Sequence, residues 1–456
     1  MDLRNRKVLI IGTGLSGIGA AKLLIRLGAV PVLYDENLEV KKTAVLSKLP
    51  KDSKGEVVIG SLPEDLVGEI ALVVPSPGVS VEAEIIKRFQ QKEVPVWGEI
   101  ELAYRYAKGR LIGITGTNGK TTTTSLIGQI MEEYYRSVYV VGNIGNPYTE
   151  IALETKDDTV VVAEISSFQL ETTENFRPQV SAILNITPDH LDRHHSMENY
   201  AAVKERIAEN QTDKEVCVLN YENEYTKAFA ERCSADVLFF SSVRRLGRGI
   251  YLEGEDIYLA GIGPAAGSDR KKIMTIHDMN LVGICNVENV MAAIAVALSA
   301  EVPLAHILDT IKRFQAVEHR IEFVATKSGV DYYNDSKGTN PDAAIHGIRA
   351  MSKPTVLIGG GYDKQSEYDE WIEAFDGKVK AFVLIGQTAD KIENCARRHG
   401  IENIFRADSF EEALKICTRE AVSGDAVLLS PACASWGMFP NYEVRGKVFK
   451  DYVNAL

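Results

Sequence analysis

The sequence predicts an α/β protein of three domains, and three observations support this fold class. Short β-branched runs alternate with amphipathic helical stretches along the chain, as in α/β units built around mostly parallel sheets. A length of 456 residues suits about three domains of ordinary size. The composition, 45% hydrophobic and 25% charged, is that of a globular protein and excludes collagen-like, coiled-coil and disordered classes.

The first domain is predicted over residues 1–98. Its predicted strands are 8–11, 30–34, 57–59, 70–74 and 94–97, with helices at 18–27 and 81–90. Gly12-Thr-Gly-Leu-Ser-Gly17 follows the first strand and Asp35 ends the second, which outlines a Rossmann-like dinucleotide site. Either NAD or a UDP-sugar fits such a loop. The remaining interpretation is that the glycines only allow close packing of the strand and the helix and bind no ligand.

The second domain is predicted over residues 99–316. Its predicted strands are 111–115, 138–141, 160–165, 180–186 and 216–219. Its predicted helices are 120–135, 197–210, 285–300 and 304–314, and the Gly-rich stretch 240–284 is expected to form short strands and loops.

A Gly-rich turn between strand 111–115 and helix 120–135 predicts a phosphate-binding loop. In Gly116-Thr-Asn-Gly-Lys-Thr121, backbone N–H groups and the helix N-terminus would hold phosphate oxygens. Lys120 would reach the β- and γ-phosphates, and the Thr121 hydroxyl would coordinate Mg²⁺. The strict P-loop spacing is not met, because position 114 is Ile and the additional glycine lies at 116.

Acidic and histidine residues follow two further strands of this domain. Glu164 ends strand 160–165, and Asp189-His-Leu-Asp-Arg-His-His195 follows strand 180–186. This density of ligand types suggests a metal; zinc is possible, but Mg²⁺ or Mn²⁺ is better motivated beside a phosphate loop. His194 and His195 are expected to be solvent-exposed loop residues.

The third domain is predicted over residues 317–456 and is expected to be a Rossmann-like α/β domain. Strands 321–326 and 330–334 suit a hairpin across Ser328-Gly329. A helix is predicted at 341–351, and strands 355–358, 382–385 and 427–429 alternate with helices.

Charge and cysteine usage restrict the partners and the compartment. A net charge of −12 argues against nucleic-acid or anionic-membrane binding. The basic N-terminus precedes an apolar run that ends at Gly12, too short for a signal peptide, and helix 290–300 is too short to span a membrane. Six cysteines without a Cys-x-x-Cys pair fit no common zinc or disulfide framework. We expect a cytoplasmic protein, and a monomer.

Several motifs together resemble the Mur ligase superfamily, the ATP-dependent amide ligases of peptidoglycan precursor synthesis. They are Gly116–Thr121, Gly142-Asn-Ile-Gly145, Glu164-Ile-Ser-Ser-Phe-Gln-Leu-Glu171 and Asn185-Ile-Thr-Pro-Asp-His-Leu-Asp192. Asp335-Ser-Lys-Gly-Thr-Asn340 and Leu429-Ser-Pro-Ala-Cys-Ala-Ser435 resemble the member that adds D-glutamate to UDP-N-acetylmuramoyl-L-alanine. The resemblance implies a UDP-binding first domain, a central ATPase domain and an amino-acid-binding third domain. It covers essentially the whole chain.

The resemblance also implies roles for residues at matching positions. ATP contacts are implied for Gly116, Thr117, Asn118, Gly119, Lys120, Thr121, Thr122, Asn289, Arg320, Asp335 and Asp363. UDP-substrate contacts are implied for Leu15, Ser16, Asp35, Glu36, Asn37, Gly78, Asn143 and His190, and D-glutamate contacts for Lys337, Thr339, Lys364, Ser435 and Tyr442.

Catalysis is implied to depend on ATP, two Mg²⁺ ions and four residues. The catalytic set is Lys120, Glu164, His190 and Lys204, and the metal ligands are Thr121, Glu164, His190 and a carbamylated Lys204. From its sequence alone, Lys204 is a solvated helix lysine. An L-alanine-adding ligase of the same superfamily and an NAD-dependent dehydrogenase remain the alternative functions.

Overall fold

A computed structural model describes residues 1–51, 53–267 and 270–456 of the chain. It contains three β-sheets with helices packed against them, which confirms the predicted α/β fold class. Two compact units are present. The first, Met1–Ile273 with Met291–Thr310, holds the first sheet and nearly all of the second. The other, Met274–Val290 with Ile311–Leu456, holds the third sheet. The domain boundaries at residues 98 and 316 remain predictions.

The first sheet has four parallel strands in the order β3-β2-β1-β4. The strands are β1 Lys7–Ile11, β2 Val30–Asp35, β3 Glu56–Ile59 and β4 Ile70–Pro75. The helices are α1 Leu15–Arg26, α2 Lys42–Leu46, α3 Glu64–Val67 and α4 Glu84–Gln90. The order of these strands reverses direction between β1 and β4, and such a switch point is where open α/β sheets bind ligands.

The predicted strand 94–97 is wrong, because only one bridge forms there, between Val73 and Val96. Trp97 and Gly98 instead turn the chain into helix α5, Glu99–Tyr104, which the sequence patterns did not predict. The predicted helix 81–90 begins three residues late, at Glu84.

The second sheet has nine strands in the order β13-β12-β11-β10-β9-β8-β5-β7-β6. The strands are β5 Arg110–Thr115, β6 Val138–Gly142, β7 Val160–Glu164, β8 Val180–Ile183, β9 Val216–Asn220, β10 Asp236–Ser241, β11 Gly249–Glu253, β12 Asp256–Ala260 and β13 Lys271–Thr275. Strand β5 lies between β8 and β7, all three are parallel, and its residues Ile112 and Ile114 are fully buried. The carboxyl ends of these three strands therefore meet at one edge.

Helices alternate with these strands along the chain or follow them. They are α6 Lys120–Tyr134, α7 Tyr148–Ile151, α8 Ser167–Leu170, α9 Leu191–His194, α10 Met197–Glu205, α11 Glu224–Ala230, α12 Ile284–Ser299 and α13 Leu304–Arg313. The predicted helix 197–210 ends at Glu205 and continues as a 3-10 turn over Arg206–Ala208. Residues 268 and 269 of the predicted Gly-rich stretch lie outside the described residues.

The third sheet has six strands in the order β14-β15-β19-β16-β17-β18. The strands are β14 Glu322–Lys327, β15 Val330–Asn334, β16 Thr355–Gly360, β17 Val379–Ile385, β18 Ile404–Arg406 and β19 Ala426–Leu429. The helices are α14 Pro341–Arg349, α15 Asp369–Glu373, α16 Ala389–Arg398, α17 Phe410–Glu420 and α18 Tyr442–Ala455. The predicted hairpin is confirmed as the antiparallel β14–β15 pair.

Candidate active site

The phosphate loop joins the end of β5 directly to the start of α6. Gly119, the residue before the helix, has a φ of +84°, a conformation that residues with a side chain rarely adopt. The helix therefore begins at Lys120 without an intervening linker. Unpaired N–H groups and the positive end of the helix dipole make such a helix start an anion-binding site.

Two lysines converge on one carbonyl oxygen of this loop. Lys120 Nζ donates to Gly116 O at 2.9 Å and to Thr117 O at 2.9 Å. Lys204 Nζ, from helix α10, donates to the same Gly116 O at 2.8 Å. Lys204 is only 1% exposed, so the solvated helix lysine expected from the sequence alone is wrong. Burial, together with the neighbouring Lys120 charge, lowers the pKa of Lys204 well below its usual range.

The segment that follows β8 holds the phosphate loop in place. Asn185 Oδ1 accepts from Asn118 N at 2.8 Å, and Asn185 Nδ2 donates to Asn118 O at 3.1 Å. Thr117 Oγ1 donates to Thr187 O at 3.1 Å. Strand β8 ends at Ile183 rather than at 186 as predicted, because, among the described residues that follow it, only Leu184 N still bonds to β5, at Thr115 O, and the residues from Asn185 onward bind the loop.

Glu164 places a buried carboxylate at the end of β7. It is 1% exposed, and its Oε1 accepts from Asn143 Nδ2 at 2.7 Å. Its Oε2 is also buried and has no hydrogen-bond partner among the described residues. An unpartnered buried carboxylate oxygen is costly unless a ligand or a cation satisfies it. Carboxylate and hydroxyl oxygens are the ligands that Mg²⁺ prefers, so Glu164 and the Thr121 hydroxyl fit that ion.

The three histidines that follow β8 have different environments. His190 has a φ of +53° and an exposed side chain, and its ring centroid lies 4.8 Å from that of Phe168. His195 is exposed, as predicted. His194 is buried, which contradicts the prediction of a solvent-exposed residue. Its Nε2 is 3.0 Å from Ser167 Oγ, and burial lowers the pKa of this imidazole.

Asp35 organises the glycine motif of the first sheet. Its Oδ2 accepts from Thr13 Oγ1 at 2.7 Å, and its Oδ1 accepts from Asn37 N at 3.1 Å. A Cβ atom at Gly17 would lie 2.1 Å from Gly12 O, so the crossing of β1 and α1 requires glycine at that position. The other predicted UDP-site residues of this sheet are all solvent-accessible: Leu15, Ser16, Glu36, Asn37 and Gly78.

The third sheet brings two predicted site segments together at neighbouring strand ends. Asp335 follows β15 and is 1% exposed; its Oδ2 accepts from Ser430 Oγ, which follows β19, at 2.7 Å. Burial raises the pKa of Asp335 to about 6, although the Arg320 charge opposes this rise. Arg320 and Asp335, both predicted ATP contacts, therefore interact electrostatically.

Arg445 supports this edge of the sheet, and the sequence analysis missed it. Its buried guanidinium donates to Ser336 O at 2.7 Å, to Ser336 Oγ at 3.0 Å and to Cys433 O at 3.3 Å. It thereby joins the segment that carries Lys337 to the segment that carries Ser435. No pattern in α18 distinguishes this arginine from the helix's other basic residues.

Of the other residues predicted to contact ATP or D-glutamate in this part of the chain, only some contact one another. Lys337 Nζ lies 5.6 Å from the Tyr442 ring centroid, and Thr339 N donates to Lys337 O at 2.8 Å. Asn289 Nδ2 donates to Asn286 Oδ1, and Asp363 Oδ1 accepts from Gln365 N. Within the described part of the chain, these side-chain bonds of Asn289 and Asp363 link neither residue to another predicted ATP contact.

Three family descriptions match the chain one after another. They are the MurD-like N-terminal domain of Mur ligases over residues 6–98, the Mur ligase middle domain over 114–297, and the Mur ligase glutamate ligase domain over 319–433. The matched ranges include each of the three sheets almost entirely. The chain therefore belongs to the Mur ligase family. This excludes the NAD-dependent dehydrogenase that the glycine motif had left as an alternative.

Curated relatives match over the full length of the chain. A protein of Lachnospira eligens is 57% identical over 456 residues, covering 100% of both chains. One of Lachnoclostridium phytofermentans is 52% identical, covering 100% of this chain and 99% of the relative, and one of Clostridioides difficile is 46% identical over 100% of both. All three are named UDP-N-acetylmuramoylalanine–D-glutamate ligase.

Solved structures share the fold at low sequence identity. The UDP-N-acetylmuramate-alanine ligase of Thermotoga maritima has a TM-score of 0.61 at 20% identity, covering 98% of this chain and 99% of its own. The MurF ligase of the same organism, in complex with ADP, has a TM-score of 0.59 at 16% identity, covering 100% and 96%. Among the described residues, every helix is too short or too polar to cross a membrane.

Proposed function

We propose that this chain is an ATP-dependent amide ligase that joins D-glutamate to UDP-N-acetylmuramoyl-L-alanine in peptidoglycan precursor synthesis, with release of ADP and phosphate. The observation that carries this proposal is the full-length similarity, up to 57% identity, to curated relatives named for that reaction. The phosphate loop at the start of α6, with a buried carboxylate and two lysines beside it, supports the ATP-dependent step.

The chemical problem is that a carboxylate is a poor acylating agent. In the proposed route, the L-alanine carboxylate attacks the γ-phosphorus of ATP, and ADP leaves. The amine of D-glutamate then attacks the acyl phosphate, and a tetrahedral intermediate collapses to the amide and phosphate. Two anions meet in the first step, and Lys120 at the phosphate loop reduces their repulsion.

Thr121, Glu164 and His190, with Lys204, are the residues that we propose to hold Mg²⁺. The buried and unpartnered Glu164 Oε2 supports this assignment. When bound, Mg²⁺ supplies charge neutralisation between ATP and the acceptor carboxylate. Glu164→Gln removes one anionic ligand, so we expect the Mg²⁺ concentration for half-maximal rate to rise about tenfold or more, as measured by metal titration after EDTA treatment.

Lys204 is proposed to act as a carbamate. A neutral amine can add CO₂ and release one proton, and the lowered pKa of Lys204 favours the neutral amine. The resulting carbamate would provide an anionic oxygen where an ammonium would repel a metal. In ¹³C-bicarbonate, we expect a carbamate NMR signal that disappears in Lys204→Ala and persists in Lys214→Ala, an exposed lysine. A signal retained in Lys204→Ala would contradict the assignment.

The residues that we propose to bind the UDP substrate are Leu15, Ser16, Asp35, Glu36, Asn37, Gly78, Asn143 and His190. Those that we propose to bind D-glutamate are Lys337, Thr339, Lys364, Ser435 and Tyr442. Six free cysteines and the nucleotide substrates favour a cytoplasmic enzyme. We propose a monomer, which light scattering after gel filtration would test.

Phosphate release with a panel of amino acids tests the reaction most directly. We expect release with D-glutamate and UDP-N-acetylmuramoyl-L-alanine together, and no release when either is omitted. Release with L-alanine and UDP-N-acetylmuramate instead would identify an L-alanine-adding ligase. Release that needs no amino acid would indicate an ATPase and refute the proposal.

A further inference from the structure

Two loops of the third sheet meet beside the proposed amino-acid site. One follows β16 and carries Tyr362 and Lys364, and the other follows β19 and carries Ser435 and Trp436. Tyr362 N donates to Ala434 O at 2.9 Å, so a backbone bridge fixes one loop against the other. The order β15-β19-β16 makes these loops neighbours.

The bridge presents an aromatic pair to solvent. The rings of Tyr362 and Trp436 pack edge to face, with centroids 5.5 Å apart. Trp436 is 54% exposed, whereas the other two tryptophans, Trp97 and Trp371, are 4% and 0% exposed. Large aromatic side chains usually contribute to a core, so an exposed pair next to a proposed ligand site indicates use in binding.

A cation lies on this aromatic pair. Lys364 Nζ is 5.8 Å from the Trp436 ring centroid, within the range of a cation–π interaction. Lysine has a flexible four-carbon stem, and holding its ammonium in one place costs conformational entropy. The indole ring reduces the positions that the ammonium of Lys364 samples.

We propose that Trp436 is a positioning residue for the amino-acid substrate, acting through Lys364. The ring holds the Lys364 ammonium where a substrate carboxylate binds. This inference rests on the proposed function, since it takes Lys364 and Ser435 to contact D-glutamate.

Steady-state kinetics of Trp436→Leu and Trp436→Phe test the proposal. The KM for D-glutamate should rise about two- to fivefold in Trp436→Leu, the range expected for loss of an exposed cation–π contact. The KM values for ATP and the UDP substrate should not change. Trp436→Phe should recover most of the loss, because it keeps an aromatic face.

A double-mutant cycle separates positioning from a general structural effect. In a Lys364→Met background, Trp436→Leu should cause little further rise in the KM for D-glutamate, because the residue through which it acts is gone. Phe323→Leu is the matched control, since Phe323 is 51% exposed and packs edge to face on Tyr333 in the same sheet. It should leave all three KM values unchanged.

Tryptophan fluorescence gives a readout that does not depend on turnover. Acrylamide should quench mainly Trp436, and D-glutamate should reduce this quenching in the presence of UDP substrate and a non-hydrolysable ATP analogue. L-glutamate at the same concentration should not.

If the wild-type enzyme turns over D-glutamate, either of two results would overturn the proposal. One is an unchanged KM for D-glutamate in Trp436→Leu, and the other is an equal rise in that KM with and without Lys364. Absence of D-glutamate turnover in the wild-type enzyme would refute the proposed function, and this proposal with it.

Discussion

Burial shifts two predicted site residues, one in each compact unit, toward their neutral forms. Lys204 and Asp335 are each 1% exposed; burial lowers the pKa of Lys204 and raises that of Asp335 to about 6. Their motifs indicate ligand binding, but no local pattern reveals that these groups are buried. The protonation state is therefore a property of the folded protein and not of the motif.

Asp335→Asn should change the pH dependence of stability. A carboxyl with a raised folded-state pKa binds more protons folded than unfolded, between its ordinary pKa of 3.8 and about 6. Wild-type stability should therefore fall as pH rises through this window. We expect the variant to gain about 1 kcal/mol relative to wild type between pH 5.5 and 7.5, measured by urea unfolding.

Asp408→Asn is the control, because Asp408 is an exposed aspartate of the same compact unit. Its stability relative to wild type should not vary with pH over that range. If the stability of Asp335→Asn relative to wild type stays constant or falls as pH rises, the account of this buried carboxyl is contradicted.

Lys120→Ala should separate ATP chemistry from substrate binding. Lys120 contacts the phosphate loop, whereas the Asp35 cluster lies at the end of the first sheet. We expect kcat to fall by on the order of 100-fold or more, as for loss of one donor to developing charge. Calorimetric affinity for the UDP substrate should be retained, and a parallel loss of that affinity would show that the two functions are wrongly assigned.

The sequence indicated which motifs lie close together better than it indicated how their residues are packed. Gly116–Thr121 and Asn185 are in direct contact, as their positions after neighbouring strands suggest. The burial of His194 was missed because it depends on Ser167 and Tyr200, which are contributed by other elements. Arg445 was missed for the same reason.

At the scale of elements, the start of α6 depends on a glycine in a left-handed conformation. Gly119→Ala would place a Cβ at a φ of +84°, which should cost about 1–2 kcal/mol of unfolding free energy. Movement of the helix start to relieve this strain would misplace the phosphate-binding N–H groups. We expect affinity for an ATP analogue to fall about tenfold or more.

Gly254→Ala provides the matched control for strain alone. Gly254 has a φ of +61°, has open space around it and lies in the turn between β11 and β12. The Gly254→Ala variant should lose about as much unfolding free energy as Gly119→Ala, as measured by urea unfolding. Its affinity for the ATP analogue, as measured by calorimetry, should equal that of the wild type. Equal nucleotide affinities in the two variants would refute the role given to the helix start.

Elements with strong β-branched runs were predicted within one or two residues, as β1, β5 and β16 show. The prediction of strands failed where strand formation depends on pairing with a neighbouring strand or where the strand is very short. Residues 94–97 have strand-like composition but form only a single bridge, and β18 has only three residues. Strand β10 begins at Asp236, before the range assigned to short strands.

At the scale of the whole molecule, sheet order places the candidate site residues, and sheet order is non-local. Alternation of strands and helices predicts parallel sheets, but not that β19 lies between β15 and β16. That order brings Ser430 to Asp335 and Tyr362 to Ala434. The resemblance to a known family supplied a role for Asp335, and the contact of Asp335 with Ser430 is seen only in the fold.

Oxygen-isotope transfer tests the central claim, which is that the γ-phosphoryl group of ATP bound at the phosphate loop is transferred to the acceptor carboxylate. The enzyme would be incubated with ATP, D-glutamate and UDP-N-acetylmuramoyl-L-alanine labelled with ¹⁸O in its carboxylate. Since the acyl phosphate bridges through a carboxylate oxygen, each released phosphate should carry one ¹⁸O, as read by ³¹P NMR or mass spectrometry. Unlabelled phosphate released while the amide product accumulates would contradict the claim.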